Sequence, residues 1–245
     1  MTFHDHFSAR ADTYARARPT YPDRLFEELS IRAPAHDLAW DSGTGNGQAA
    51  RGLTEHFALV IATDPSAAQL REATPHPRIT YRRGRESESG LDDHVADLVS
   101  AAQAAHWFDL PAFYREAQRV LRPGGILALW SYGACRMASE LNSILDPFYY
   151  DTVGPYWPPE RVHVDSGYRT LPFPFEAELF PELNIEREWT LEEFLEYVHT
   201  WSAVNRFITG KGIDPVEQLA TALRPRWGDT QRVIWPVAVR CARIP

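Results

Sequence analysis

The 245-residue chain carries a formal net charge of −8, with 44% hydrophobic residues. That supports one large domain with a sizeable core, while the acidic balance excludes a nucleic-acid surface, where affinity comes from neutralising phosphates. Two distant cysteines, Cys135 and Cys241, and the lack of any apolar run of bilayer length exclude a disulfide framework and a membrane span, so a reduced, cytoplasmic setting is expected.

The first stretch, MTFHDHFSARADTYARARP, is polar and has no apolar signal core. Residues 3–17 predict a short helix, broken by Pro19 and Pro22. DRLFEELSIRA predicts a second, apolar at Leu25, Phe26 and Leu29. DLAWD predicts a strand running into a glycine turn, and GQAARGLTEHF the helix after it. ALVIATD is a continuous apolar run suited to a buried parallel strand. PSAAQLREA follows as a helix, with Pro65 in its first turn. RITYRRG and VADLVSAAQ predict strands, and FDLPAFYREAQRVL a helix that RPGG closes. ILALWSYG predicts a fifth strand. This alternation over 20–133 implies right-handed βαβ units and a parallel sheet.

Beyond residue 133 the texture changes. Residues 134–181 are rich in proline and aromatics, too apolar for disorder and too irregular for sheet, and are expected to form an inserted cover over the sheet's edge. NIEREWT predicts a strand, LEEFLEYVHTWSAVNRF one helix, and QRVIWPVAVRCARI a terminal strand paired antiparallel with the one before it. The expected organisation is a single domain, 1–245, with an α/β core at 20–133, the cover at 134–181 and the rest of the sheet at 182–245.

Ligands of open parallel sheets sit outside the carboxyl ends of the strands. The first such end carries Asp41, Gly43, Gly45 and Gly47. The spacing G-x-G-x-G is not the dinucleotide fingerprint, because Gln48 stands where its third glycine belongs. Asp41 would also repel a phosphate, so the ligand is expected to lack phosphate and to carry positive charge. The second end carries Asp64, 21 residues after Gly43, where an acid can accept hydrogen bonds from both hydroxyls of a ribose. The third is followed by Glu86, Ser87 and Glu88, the fourth by Gln103, Ala104, His106 and Trp107. Each has a plainer reading: a structural turn, a helix cap at Asp64, packing at His106 and Trp107. Their recurrence at successive strand ends favours a site.

WDSGTGNGQAA, TDPSAAQL, VADLVSAAQAAHWFD and VLRPGGILALW resemble the motifs of the class I S-adenosylmethionine-dependent methyltransferases. FSARADTYARARPTYP and YVHTWSAVNRF resemble the small-molecule (type 11) group that includes the trans-aconitate methyltransferases. The likeness runs over nearly the whole chain. It implies a Rossmann-like α/β fold with a seven-stranded, mostly parallel sheet whose last strand is antiparallel. It implies S-adenosylmethionine as cofactor, with S-adenosylhomocysteine as product. Asp41 then faces the cofactor's cationic end, the glycines and Gln48 lie along its methionine portion, Asp64 binds the ribose, and Pro65 and Ser66 lie near the adenine. Gln103, Ala104 and His106 line the wall near the sulfonium. The adenine contact falls on Glu86, Ser87 or Glu88, and the alignment does not choose among them.

The implied acceptor is a small molecule beneath the aromatic, proline-rich cover, with O-methylation of a carboxylate favoured by the arginines in and near that cover and by the likeness to the trans-aconitate group; an acid, already ionised at neutral pH, needs no general base. If a general base is used, His106 and Tyr14 are the candidates. Tyr149, Tyr150, Tyr156, Trp157 and Tyr168 supply walls with polar tips, alongside Trp107. Arg18, Arg161, Arg169 and Arg206 are candidates to clamp an acid, with one or two expected to face the site. No metal-ligand cluster is legible. The competing readings are a nicotinamide-dependent oxidoreductase and a catalytically silent cofactor-binding protein. The oligomeric state is not legible.

Overall fold

The structure, a computed structural model, describes residues 18–245. The helix expected at 3–17 and the candidate base Tyr14 lie outside the described residues.

Seven strands form one sheet: β1 Leu38–Ser42, β2 Leu59–Asp64, β3 Ile79–Arg83, β4 Ala96–Ala102, β5 Leu121–Tyr132, β6 Leu183–Trp189 and β7 Gln231–Arg243. Their spatial order is β3-β2-β1-β4-β5-β7-β6. β1 to β5 pair parallel, and β7 runs antiparallel to both β5 and β6. This is the Rossmann-like sheet expected from the sequence, with its last strand reversed.

The inner strands β2, β4 and β5 carry near-continuous buried runs because both faces of the sheet are covered there, whereas the edge strand β6 alternates. Side chains alternate between two cores at the period of two that strands impose. Ala39, Leu98, Ile126, Ala128 and Trp130 enter one core with Phe26 and Leu53. Trp40, Val99, Leu127 and Leu129 enter the other with Phe113 and Tyr168. The parallel register brings the carboxyl ends of β2, β1, β4 and β5 side by side, with Ser42 opposite Thr63 and Asp41 opposite Ser100.

Several elements depart from expectation. The helix expected over 191–207 is two, α7 Leu191–His199 and α8 Ser202–Lys211, counting α1 Asp23–Arg32, α2 Gln48–Leu53, α3 Ala67–Arg71, α4 Leu110–Val120, α5 Ser139–Pro147 and α6 Arg161–Asp165 before them. Trp201 breaks it: the residue is extended at φ −70°, ψ 131° and 2% exposed, its indole packed on Tyr149, Trp157 and Tyr197. α9, Val216–Trp227, lies in a stretch with no element expected from the sequence; it buries Val216, Leu219, Leu223 and Trp227 at helical spacing. α3 is capped by Ser66, whose Oγ accepts from Gln69 N, so Pro65 precedes the helix rather than opening it. Gly124 and Gly125 lie inside β5, at an irregularity of its pairing with β4, and do not cap α4, which Leu121 ends. Residues 134–181 contain α5, a wide π turn at Phe148–Thr152, and α6, and touch β7 through isolated bridges at Arg136–Ile234 and Glu178–Cys241. Among the described residues no helix is long and apolar enough to cross a membrane.

One buried charge fixes the loop after β3. Glu116 on α4 accepts from Ser89 N (2.8 Å) and Ser89 Oγ (2.6 Å), and pairs with Arg119 at 2.7 Å. The Arg119 hydrogen bond, opposed by burial and helped by Ser89, pulls the Glu116 carboxyl down to about 2 from its ordinary 4.5. A carboxyl lowered on folding stabilises the fold fully above its unfolded value, and that contribution is lost as pH falls through the folded one. Stability should therefore decline between about pH 4.5 and 2, and Glu116→Gln should flatten that limb in acid-unfolding curves. An unchanged limb would remove Glu116 from the account.

Candidate active site

At the end of β1 the chain turns through Gly43, Gly45 and Gly47, all at positive φ. At Gly43 (φ +69°) an added Cβ would lie 2.6 Å from Ala104 Cβ, so the loop can press against the end of β4 only without a side chain. Gly47 (φ +84°) leads into α2 and is overlain by the Tyr81 ring.

Two carboxylates frame this loop. Asp64, at the end of β2, accepts from Gly45 N (2.9 Å) through Oδ2 and from Ser66 N (2.8 Å) through Oδ1. Asp41 is fully buried and accepts from Ser100 Oγ at 2.8 Å through Oδ1, while Oδ2 has no hydrogen-bond partner among the described residues. Burial, opposed by the Thr44 and Ser100 hydroxyls and the Ala50 N–H and reinforced by the Asp64 charge, pushes Asp41 up to about 6. A buried carboxylate oxygen without a donor is costly, and a cationic ligand group would relieve that cost.

A pocket opens beyond the end of β4, lined among others by Arg18, Gln103, His106, Trp107, Trp157 and Arg161. None of the described residues lining it is acidic. Gln103 sits at φ +52°, a conformation few non-glycine residues adopt, with its N–H donating to Trp130 O and its Nε2 to Tyr132 O. His106 Nδ1 lies 2.9 Å from Tyr168 Oη. Burial, with the Arg161 and His163 charges, pulls the imidazole down to about 3, so it is neutral at physiological pH.

Arg161, one of the pocket's cations, is rigidly held. Its Nε donates to Tyr149 Oη (2.8 Å) and Asp165 Oδ1 (2.9 Å), and Tyr149 Oη donates to the same carboxylate oxygen at 2.8 Å. The guanidinium lies 4.4 Å from the Trp157 ring centroid. Among the described residues no hydrogen bond engages its Nη atoms, which leaves the fork free to grip an oxyanion. Arg18 lies over the Tyr197 ring, with one Nη 3.4 Å from Thr200 O.

The remaining expected residues divide. Trp107 lines the pocket at 38% exposure. Tyr168 is fully buried and reaches the pocket through His106. Gln48 faces the N-terminal segment instead, donating to Pro19 O. Pro65 O accepts from Arg83. Glu86 is half-buried and accepts from Asp109 N at 3.2 Å, whereas Ser87 and Glu88 are exposed. Three residues expected at the acceptor lie outside the pocket lining. Arg169 is exposed and outside the pocket lining. Tyr156 packs on Phe207, and Arg206 is spent on the Tyr156 carbonyl. The sequence reading missed Asp165, Ser202, Tyr81 and Phe108. Only Asp165 left a signal, four residues after Arg161 and so one helical turn away. Among the described residues no group of His, Cys, Asp or Glu side chains is placed to hold a metal ion.

Residues 40–129 match the family model described as "Methyltransferase domain". A protein of Dictyostelium discoideum named as a methyltransferase is 32% identical over 225 residues, covering 90% of this chain and 86% of its own. A solved structure described as a type II methyltransferase from Anaeromyxobacter dehalogenans is 47% identical with a TM-score of 0.88, covering 93% of this chain and 98% of that one. A malonyl-[acyl-carrier protein] O-methyltransferase of Dechloromonas aromatica is 40% identical over 134 residues, 49% of each chain.

Proposed function

Because the chain belongs to the class I S-adenosylmethionine-dependent methyltransferases, we propose that it methylates the carboxylate oxygen of a small acid. The nicotinamide-dependent and catalytically silent alternatives fall with that membership. One observation carries the acceptor proposal: the pocket past β4 is lined by Arg18 and Arg161 and by no acidic described residue. The relative that methylates malonyl-[acyl-carrier protein] on oxygen, over half of each chain, points the same way.

The residues suit the cofactor. Asp41 Oδ2, buried and without a donor, suits a cationic group. The turn at Gly43–Gly47 lets backbone approach a ligand that has no phosphate. Asp64 has two oxygens able to accept further hydrogen bonds, and Glu86, the half-buried member of its loop, is the one assigned to the adenine. S-adenosylmethionine, when bound, supplies a methyl group already activated on a sulfonium.

The protein's own contribution is then position and dryness. Arg161, with Arg18 in the same pocket lining, grips the acid and sets the attacking oxygen's direction; alignment alone supplies roughly 7–11 kcal/mol in well-oriented reactions. Residues 134–181, taken as the acceptor cover, exclude water through Trp157 and the buried Tyr149. An ionised carboxylate needs no proton removed. That agrees with a neutral His106, whose low basicity makes it a poor general base for a phenol or an amine. Both thiols are buried and unpaired, in keeping with a cytoplasmic setting.

Two measurements follow. A thermal-shift screen with S-adenosylhomocysteine present should find small carboxylic acids that raise Tm; a screen that responds only to amines or phenols would overturn the acceptor class. Cofactor affinity should also depend on pH. A cationic group binds ionised Asp41, so affinity should fall as pH drops through about 6 and level off above it. Asp41→Asn should bind weakly with that dependence gone. A parallel decline in both proteins would remove Asp41 as the cation's partner.

A further inference from the structure

Tyr168 explains what His106 is for. Its side chain is fully buried and its backbone sits at φ +61°, a conformation that persists in a non-glycine residue only where its surroundings enforce it. They do: Tyr168 N donates to His163 O at 2.8 Å, and its carbonyl accepts from Arg240 Nη at 3.0 Å. The ring is therefore fixed, and a phenol has a single proton to donate. Among the described residues the one acceptor beside Tyr168 Oη is His106 Nδ1, at 2.9 Å, since the Ala105 and His106 backbone N–H groups that also face the phenol oxygen can only donate. If Nδ1 carried the imidazole proton, the buried phenol proton would have no acceptor, at the cost of an unmade hydrogen bond. The arrangement that satisfies both groups has Tyr168 donating and Nδ1 accepting. A neutral imidazole then bears its proton on Nε2, and the imidazole is kept neutral by burial. No described residue bonds Nε2, and His106 lines the pocket.

We infer that His106 is a fixed hydrogen-bond donor to the acceptor's carboxylate, held as the Nε2–H tautomer by Tyr168. The sequence reading offered His106 as a base; the phenol behind it reverses that role. The inference rests on the carboxylate reading for the identity of the group that receives the hydrogen bond, while the tautomer does not. With Arg161 and Arg18, His106 completes a pocket of donors, in which an uncharged acceptor would leave N–H groups unpaired. Tyr168 is a positioning residue: it touches no acceptor and acts by choosing which imidazole nitrogen holds the proton.

The test uses the full chain with 15N-labelled histidine. The His106 signals are identified among the nine histidines by their disappearance in His106→Gln. At pH 7 Nε2 should be protonated and Nδ1 bare. In Tyr168→Phe the two tautomers should mix. A proton on Nδ1 of the wild-type chain, or an imidazolium at pH 7, overturns the inference. Kinetics supply the second reading. Glutamine can present an N–H near the Nε2 position, so His106→Gln should hold KM for the acid within about threefold. His106→Leu should raise it about tenfold or more, as expected when a hydrogen bond to a charged group is lost. A kcat collapse of equal size in both variants would mean His106 takes a proton, and the inference fails. If no acid is methylated at all, the carboxylate reading fails instead, and the tautomer signal tells the two failures apart.

Discussion

Arg161→Ala should raise KM for the acid acceptor on the order of 100-fold, which corresponds to about 3 kcal/mol, the upper end for hydrogen bonds to a charged group. Affinity for S-adenosylmethionine should stay within about threefold, a difference of less than 1 kcal/mol. The size follows from the preorganisation of the guanidinium. It is stacked on Trp157 and tied through Nε to Tyr149 and Asp165, so the acid meets a fork that has already lost its freedom. Arg161→Lys should recover only part of the loss, because an ammonium keeps the charge but not the paired donors. Arg169→Ala serves as the contrast: that side chain is exposed, outside the pocket, and its removal should leave KM unchanged. Equal effects at 161 and 169 would mean the pocket past β4 is not where the acid binds.

Asp64→Ala should weaken S-adenosylmethionine binding by roughly 10- to 150-fold, from about 1.5–3 kcal/mol for charge-assisted hydrogen bonds. Two losses combine. The proposed ribose contact goes, and so do the ties that hold Gly45 N and Ser66 N. Asp64→Asn should fare little better. Both carboxylate oxygens accept backbone N–H groups, so an amide must turn its NH2 against one of them. Titration calorimetry reads the result directly, and unchanged affinity in Asp64→Ala would remove the ribose assignment.

The cofactor half of this molecule was far more legible in its sequence than the acceptor half. The turn from Asp41 to Gly47 and the acid at 64 are local features, set by strand ends and backbone conformation, and spacing along the chain preserves them. The sheet itself follows from apolar runs that are buried on both faces. The pocket is different. It joins Arg18, Gln103 and Ser202 with Arg161 from α6, residues up to 184 positions apart, and no periodicity records such a meeting. Arg161 and Arg169 look alike in sequence, both in a segment of prolines and aromatics. Only the contacts with Tyr149, Asp165 and Trp157 single out the first. The break at Trp201 belongs to the same class, since helical periodicity continues through it and the tertiary packing of one indole ends the helix.

The most direct measurement is transfer of labelled methyl from S-adenosylmethionine to a panel of small acids, amines and phenols, followed by mild alkaline hydrolysis of the product. Methylation on a carboxylate gives an ester, so the account predicts label in the acid pool that alkali releases as methanol. Label that stays on the acceptor after alkali, carried by an amine or a phenol, would contradict it.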